Sequence, residues 1–395
     1  MSTEVFMGSP EEDEEVEDVT PPTNPDDFFA NSAFRMIYQT NNFFLPQIRD
    51  LIDRGEVLNL RPAYQRRLRW TVPQKSKLIE SLLLNIPVPP IFLYESNEAR
   101  YEVMDGQQRL NSVREFIAGD FALSGLPILT PLNGLRYSRC PPRVRRALDR
   151  ASLSAIVLLL ESETVESSSR ILTLTDIRRF IFDRLNTGGT KLNPQEIRNA
   201  LNPGVFNDTL IEITRLPLFT TVFEIPPYTE TDPNEYYENP DRQKNNLYAS
   251  MGDCQLVLRY FALRDDANIR GSMKSMLDRA MEVKITEAEG EVWKQDYQER
   301  FQFLYNLFEG HPFRLPPDER GRERLSAAVY DASMVAINDL WDERNRIETD
   351  KANVQQRMME AMNDDSIVPI LTGQQNTANA VRERIRQMRR ILSPQ

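Results

Sequence analysis

The period of the apolar positions changes at residue 105. Arg100-Tyr101-Glu102-Val103-Met104 alternates polar and apolar like a half-buried strand, whereas Leu110, Val113, Phe116 and Ile117 recur at helical spacing. The intervening Asp105-Gly106-Gln107-Gln108-Arg109 is therefore a strand-turn-helix junction. Upstream, the pattern predicts a short helix from Phe43-Phe44-Leu45 to Ile52, closed by Gly55, and a strand at Val57-Leu58-Asn59-Leu60. An amphipathic helix follows over Pro73 to Leu84, with Leu78, Ile79, Leu82 and Leu83 on its apolar side. Pro87-Val88-Pro89-Pro90 is a rigid connector, because proline fixes φ and removes a donor. It leads into a buried strand at Ile91-Phe92-Leu93-Tyr94, and Leu153 to Leu160 is a further apolar strand. Residues 28–200 thus read as an α+β domain.

Beyond residue 200 the periodicity is helical in Leu256 to Phe261, Trp293 to Phe308 and Leu325 to Leu340, with a polar, proline-containing loop expected from Tyr228 to Asn246. Residues 201–395 are read as a helical domain. Its last segment carries an apolar stripe of Val381, Ile385 and Met388, beside Arg382, Arg384, Arg386, Arg389 and Arg390 against Glu383. Such a helix either docks on its own domain with arginines in solvent, the stronger reading, or neutralises DNA phosphates through Arg382, Arg386, Arg389 and Arg390.

Two segments carry candidate chemistry. Unpaired N–H groups at a helix start attract anions, and Arg109 adds a planar donor fork suited to phosphate. The same five residues also suit a plain turn glycine with a capping Asp105, and the residues alone leave both readings open. The second segment is Ile181 to Leu192, in which Thr187-Gly188-Gly189-Thr190 can present consecutive backbone donors, with Arg184, Asn186 and Lys191 able to reach phosphate or a base. It runs into Asn193-Pro194-Gln195-Glu196, a helix cap with proline at the first helical position and glutamate three residues after the cap. Taken alone, this stretch is better read as a turn and a capping box than as a binding loop.

Composition narrows the classes. Ten of the 59 acids fall in residues 1–27, which contain no Lys or Arg, so the rest of the chain carries 49 acids against 48 basic residues. The net charge of −11 is thus almost wholly that of an acidic tail expected to be disordered over residues 1–27. No apolar run is long enough for a bilayer, and Met1-Ser2-Thr3-Glu4 has no signal-peptide character, so a cytoplasmic protein is expected. Cys140 and Cys254 have no metal-ligand spacing and read as structural thiols. No Gly-rich loop ends in Gly-Lys-Ser/Thr, and no Gly-x-Gly-x-x-Gly follows a strand. His311, in Gly310-His311-Pro312, is the one histidine, too few imidazoles for an HNH nuclease core or a His-rich zinc site within these residues.

Pro62-Ala63-Tyr64-Gln65-Arg66 with Trp70, Leu78-Ile79-Glu80-Ser81, Ile86 to Ile91, Asp105 to Arg109, Phe182 to Gly189 and Leu192 to Arg198 follow one another in an order that resembles the GmrSD-type restriction-system N-terminal domain. The resemblance spans roughly residues 40 to 200 and continues more weakly through Asp253 to Leu263 and Gly271-Ser272-Met273. It implies a ParB/sulfiredoxin-like α+β domain followed by helices, binding and often hydrolysing a nucleoside triphosphate in bacterial defence against foreign DNA. In those terms the Asp105 turn is the nucleotide motif. Asp105 would hold a hydrated Mg2+ or orient water, Gln107 and Gln108 would position phosphate or water, and Arg109 would neutralise developing charge. Tyr64, Gln65 and Arg66 would form a second wall, with Gly106, Arg184, Asn186, Thr187, Gly188, Gly189 and Lys191 completing nucleotide contacts. The expected partners are DNA, a separate nuclease or defence-system subunit, and a second copy of the chain. The competing class is a non-catalytic DNA- or protein-binding module that keeps the fold.

Overall fold

The structure, a computed structural model, describes residues 5–6, 37–54, 58–59, 70–97, 100–159, 164–167, 170–173, 193–202, 204–228, 239–316, 324–373 and 375–394. The chain forms two compact units, one of residues 20–192 and one of residues 1–19 with 193–395. The first element, β1 (Val5–Phe6), belongs to the second unit, and the rest of the expected acidic tail lies outside the described residues.

The unit of residues 20–192 is α+β, as the sequence pattern predicts. Its elements run β2 (Ile37–Phe44), α1 (Leu45–Asp53), β3 (Leu58–Asn59), α2 (Val72–Leu83), β4 (Ile91–Asn97), β5 (Arg100–Asp105), α3 (Gln107–Ala118), α4 (Pro142–Arg150), β6 (Ser152–Leu159), β7 (Thr164–Ser167) and β8 (Arg170–Thr173). Five strands form one sheet in the order β2-β6-β4-β5-β3, antiparallel between β2 and β6 and between β4 and β5, and parallel at the other two pairings. A separate antiparallel hairpin joins β7 and β8. Leu153, Ala155 and Val157 of β6 alternate with exposed Ser152 and Ser154, so one face of this strand enters the core with Leu45, Ile48, Ile79, Leu110, Val113 and Phe116. Helix α3 packs on α1 and α2, and α4 packs on the same two helices.

One local expectation is corrected here. Phe43 and Phe44 end a strand, and the helix begins only at Leu45. Pro46 in the first turn has no N–H to satisfy, and Gln47 Oε1 accepts from the Phe44 N–H at 3.1 Å, which fixes the helix start. Phe43 instead lies edge-on to Tyr101 of β5, with centroids 6.4 Å apart.

The second unit is mainly helical. Its elements are α5 (Pro194–Leu201), α6 (Val205–Thr214), α7 (Pro217–Val222), α8 (Pro240–Lys244), α9 (Asn246–Ala249), α10 (Gly252–Leu263), α11 (Met273–Met281), α12 (Glu287–Leu307), β9 (Arg314–Leu315), β10 (Arg324–Ser326), α13 (Ala327–Asp339), α14 (Arg344–Thr349), α15 (Lys351–Ala361), α16 (Val368–Leu371) and α17 (Ala378–Leu392). β1, β10 and β9 form a small sheet, parallel between β1 and β10 and antiparallel between β10 and β9. Helices α10 and α13 are buried almost all round, which makes them the centre of the unit. They are tied by Arg259, whose Nε donates to both oxygens of Asp331 at 3.0 and 2.8 Å while Nη2 also bonds Oδ2.

The division falls at 192/193 rather than at 200/201. Helix α5 presents buried Arg198 and Asn199 to the helical unit: Arg198 Nε donates to Asp278 Oδ1 at 2.8 Å and Asn199 Nδ2 to Met251 Sδ at 3.3 Å, while the Nδ2 of Asn193, just before the helix, donates to Ser250 O at 2.8 Å. The expected loop over residues 228–246 is helical at Pro240–Lys244 and from Asn246, because Asn239 and Asn245 cap those turns. Residues 229–238 lie outside the described residues. Among the described residues, no helix is long and apolar enough to cross a membrane.

Candidate functional site

The change of period at residue 105 is a change of backbone. β5 ends at Asp105, Gly106 adopts φ +97°, and α3 begins at Gln107. That angle suits glycine alone, and the space does too, since a Cβ on Gly106 would sit 2.4 Å from Ile91 Cγ2. The first intrahelical bond runs from the Leu110 N–H to Gly106 O at 2.9 Å, and no side chain caps the helix. The N–H groups of its first turn are left to solvent or a ligand, at the positive end of the helix dipole.

The side chains divide into those that hold the turn and those left available. Arg109 Nη2 donates to Asp105 Oδ2 at 2.5 Å and to Pro90 O at 3.3 Å, tying the turn to the proline connector before β4. Arg109 is 15% exposed and Asp105 45% exposed, so the pair opens to solvent on the aspartate side. Arg109 Nε is buried and has no partner among the described residues. Gln108 is a clamp: its Oε1 accepts from the Trp70 N–H at 3.2 Å, and Ser112 Oγ donates to its carbonyl at 2.6 Å. Gln107, half-buried, makes no side-chain bond among the described residues.

Around this centre, α3 is fixed by two further pairs. Lys75 of α2 meets Glu115 at 2.5 Å with both side chains mostly buried. Arg114 Nε meets Asp53 Oδ1 at 2.7 Å, and this bond, reinforced by Arg49, holds the Asp53 carboxyl below its usual range against the opposing effect of burial.

Residues 48–202 match the family model of the GmrSD restriction endonuclease, N-terminal domain. The chain carries a GmrSD-type N-terminal domain. No curated protein and no solved structure matches it. The matched stretch begins in α1, includes the Asp105 turn and ends just after α5, so it crosses the division between the two compact units.

Of the residues expected at the site, Asp105, Gly106, Gln107, Gln108 and Arg109 are brought together. Tyr64, Gln65 and Arg66, and Arg184, Asn186, Thr187, Gly188, Gly189 and Lys191, lie outside the described residues. The Asn193 cap forms as expected, accepting from the Glu196 N–H at 2.9 Å while Glu196 Oε2 accepts from the Asn193 N–H at 2.8 Å. No group of three or more metal-ligating side chains occurs among the described residues. His311 is an exposed turn residue whose Nδ1 lies 3.0 Å from Glu309 O.

The C-terminal helix is docked on its own unit, the stronger of the two readings given for it. Val381, Ile385 and Met388 are buried, and α17 packs on α13. Its arginines are largely committed: Arg382 Nε pairs with Asp266 at 3.1 Å, Arg386 with Glu383, and Arg389 with Asp339, while Arg390 stays exposed. Two contacts could not be seen in the local sequence, Trp70 with Gln108 and Pro90 with Arg109. Both residues lie in segments that carry the family resemblance.

Proposed function

We propose that the Asp105–Arg109 turn binds the phosphates of a nucleoside triphosphate and hydrolyses it in the presence of Mg2+, as the switch of a DNA restriction system. The match of residues 48–202 to a GmrSD-type N-terminal domain supports a role in a restriction system. One observation carries the finer reading: a glycine-forced, uncapped N-terminus of a twelve-residue helix beside a guanidinium that keeps donors in reserve and a glutamine without a partner among the described residues.

Backbone N–H groups at Gln107 and Gln108 suit phosphate oxygens, and Arg109 suits the charge that builds on them as water attacks phosphorus and the bond to the leaving diphosphate breaks. Gln107 would orient phosphate or water. Gln108 acts through the Trp70 segment, since its carbonyl oxygen is already taken. For Mg2+ the residues fit in a limited way. Asp105 is a half-exposed single carboxylate with Oδ2 on Arg109, which leaves Oδ1 as one ligand beside phosphate oxygens and water, a donor set this ion accepts. The ion would supply charge neutralisation at the phosphates.

The second reading, a non-catalytic DNA- or protein-binding module, is favoured by the Asp105–Arg109 pair itself, because an ion pair across a turn needs no ligand to explain it. Phosphate release with Mg2+ and each nucleoside triphosphate, with and without DNA, separates the two. We expect turnover that falls by about 100-fold or more in Arg109→Ala, the usual loss on removing a donor to developing charge. The fall should be comparable in Asp105→Ala. Absence of both turnover and nucleotide binding in the unaltered chain would leave the binding module.

A further inference from the structure

We propose that the exposed face of α4, with Arg139 on the turn before it, is a docking surface for the phosphate backbone of double-stranded DNA. Residues 135–150 hold six arginines and one acid, Asp149, in a chain whose total charge is −11. Arg136 is structural, donating to Gly119 O. Arg139, Arg143, Arg145, Arg146 and Arg150 are exposed, and none has a carboxylate within ion-pair distance among the described residues. Asp149, the one acid in this stretch, instead accepts from Tyr137 Oη at 2.5 Å.

The inner face of the helix is already used. Leu148 is fully buried and Val144 packs against the same core. No apolar face is therefore left to enter a bilayer, as an interfacial helix would require. Arg143, Arg146 and Arg150 recur at spacings of three and four, so they share one face along about 10 Å of helix. A duplex presents roughly one negative charge per 1.7 Å of its axis, which makes it the dense, extended polyanion that such a row suits. The choice of DNA among polyanions rests on the restriction reading above; the surface itself is independent of the Asp105 turn.

The test is fluorescence anisotropy of a labelled duplex titrated with the full chain without nucleotide, from about 50 to 200 mM salt, the range over which phosphate contacts lose most affinity. Nucleotide hydrolysis and DNA docking thereby fail separately. Five phosphate contacts would give a slope of log affinity against log salt near about −4.5. The combined Arg143→Ala, Arg146→Ala and Arg150→Ala variant should bind more than tenfold more weakly at low salt. Its slope should be shallower by about 2.7. The matching Arg382→Ala, Arg386→Ala and Arg390→Ala variant should bind as the unaltered chain does. Circular dichroism and thermal melting check that both variants fold. The proposal is overturned by no duplex binding at low salt, by unchanged binding in the α4 variant, or by displacement with a peptide of residues 11–18 as readily as with unlabelled duplex.

Discussion

Helices α4 and α17 each carry a cluster of arginines, and the structure puts them to opposite uses. In α17, Arg384 is buried, Arg382 and Arg389 meet Asp266 and Asp339 from elsewhere in the chain, and Arg386 meets Glu383 of its own helix. In α4 the one acid of the helix, Asp149, is held by a tyrosine, and the arginines face water. A count of charges along a segment therefore says little about which charges remain free. What decides it is which distant carboxylates the fold delivers, and that information lies far off in the sequence, 116 residues away for the Arg382–Asp266 pair.

The sharpest way to break the comparison is to remove the buried carboxylate beneath α17. Asp331 is paired with Arg259, and Arg384 adds a second buried cation nearby whose Nη1 has no partner among the described residues. Desolvation pulls the Arg384 guanidinium down to about 10, and Asp331 is what opposes that pull. Asp331→Ala leaves two cations buried without it and should cost about 3–5 kcal/mol in urea unfolding. Arg146→Ala on α4, exposed and unpaired, should stay within about 0.5 kcal/mol. Similar costs at both positions would mean that the α4 arginines have structural partners after all.

A surface pair lies between these extremes. Arg389 is about half exposed and reaches Asp339 of α13. Arg389→Ala should cost only about 0.2–1 kcal/mol, and less as salt rises, because water and ions screen such pairs. A double-mutant cycle with Asp339→Ala measures the coupling. A value above that range would show α17 to be held by its charges as much as by Val381, Ile385 and Met388.

The same contrast explains what could be read from the chain. The Asp105 junction was legible because a period of two gives way to a period of 3.6 around a glycine, and both signals are local. The Asn193 cap was legible for the same reason. Strand β2 was missed because Phe43 and Phe44 suit a helix start as well as a strand end, and the choice is made by β6 pairing across more than a hundred residues. The α4 patch has a local signal, six arginines in sixteen residues, but it is one of charge that apolar periodicity does not register. The contacts of Arg109 with Pro90 and of Gln108 with Trp70 join segments 19 and 38 residues apart and have no local signal.

The smallest effect concerns the group that keeps the α4 patch free. Tyr137 donates to Asp149, and burial first, then that bond, push its phenol up to about 12 from 10. The folded state therefore holds this proton where the unfolded chain has released it. The corresponding stability is complete below about pH 10 and is lost as pH rises through about 12. Tyr137→Phe keeps the ring against Phe116, at centroids 6.1 Å apart, but removes the donor. Stability of that variant should decline less between pH 10 and 12 than that of the unaltered chain, as measured by urea titration at each pH. At neutral pH the freed Asp149 lies four residues from Arg145, the spacing at which opposite charges pair on a helix. Duplex affinity should then fall by about twofold, since such a pair is worth only a few tenths of a kcal/mol. An unchanged affinity together with the altered pH slope would show that the hydrogen bond serves the fold alone, and that Asp149 never competed for the arginines.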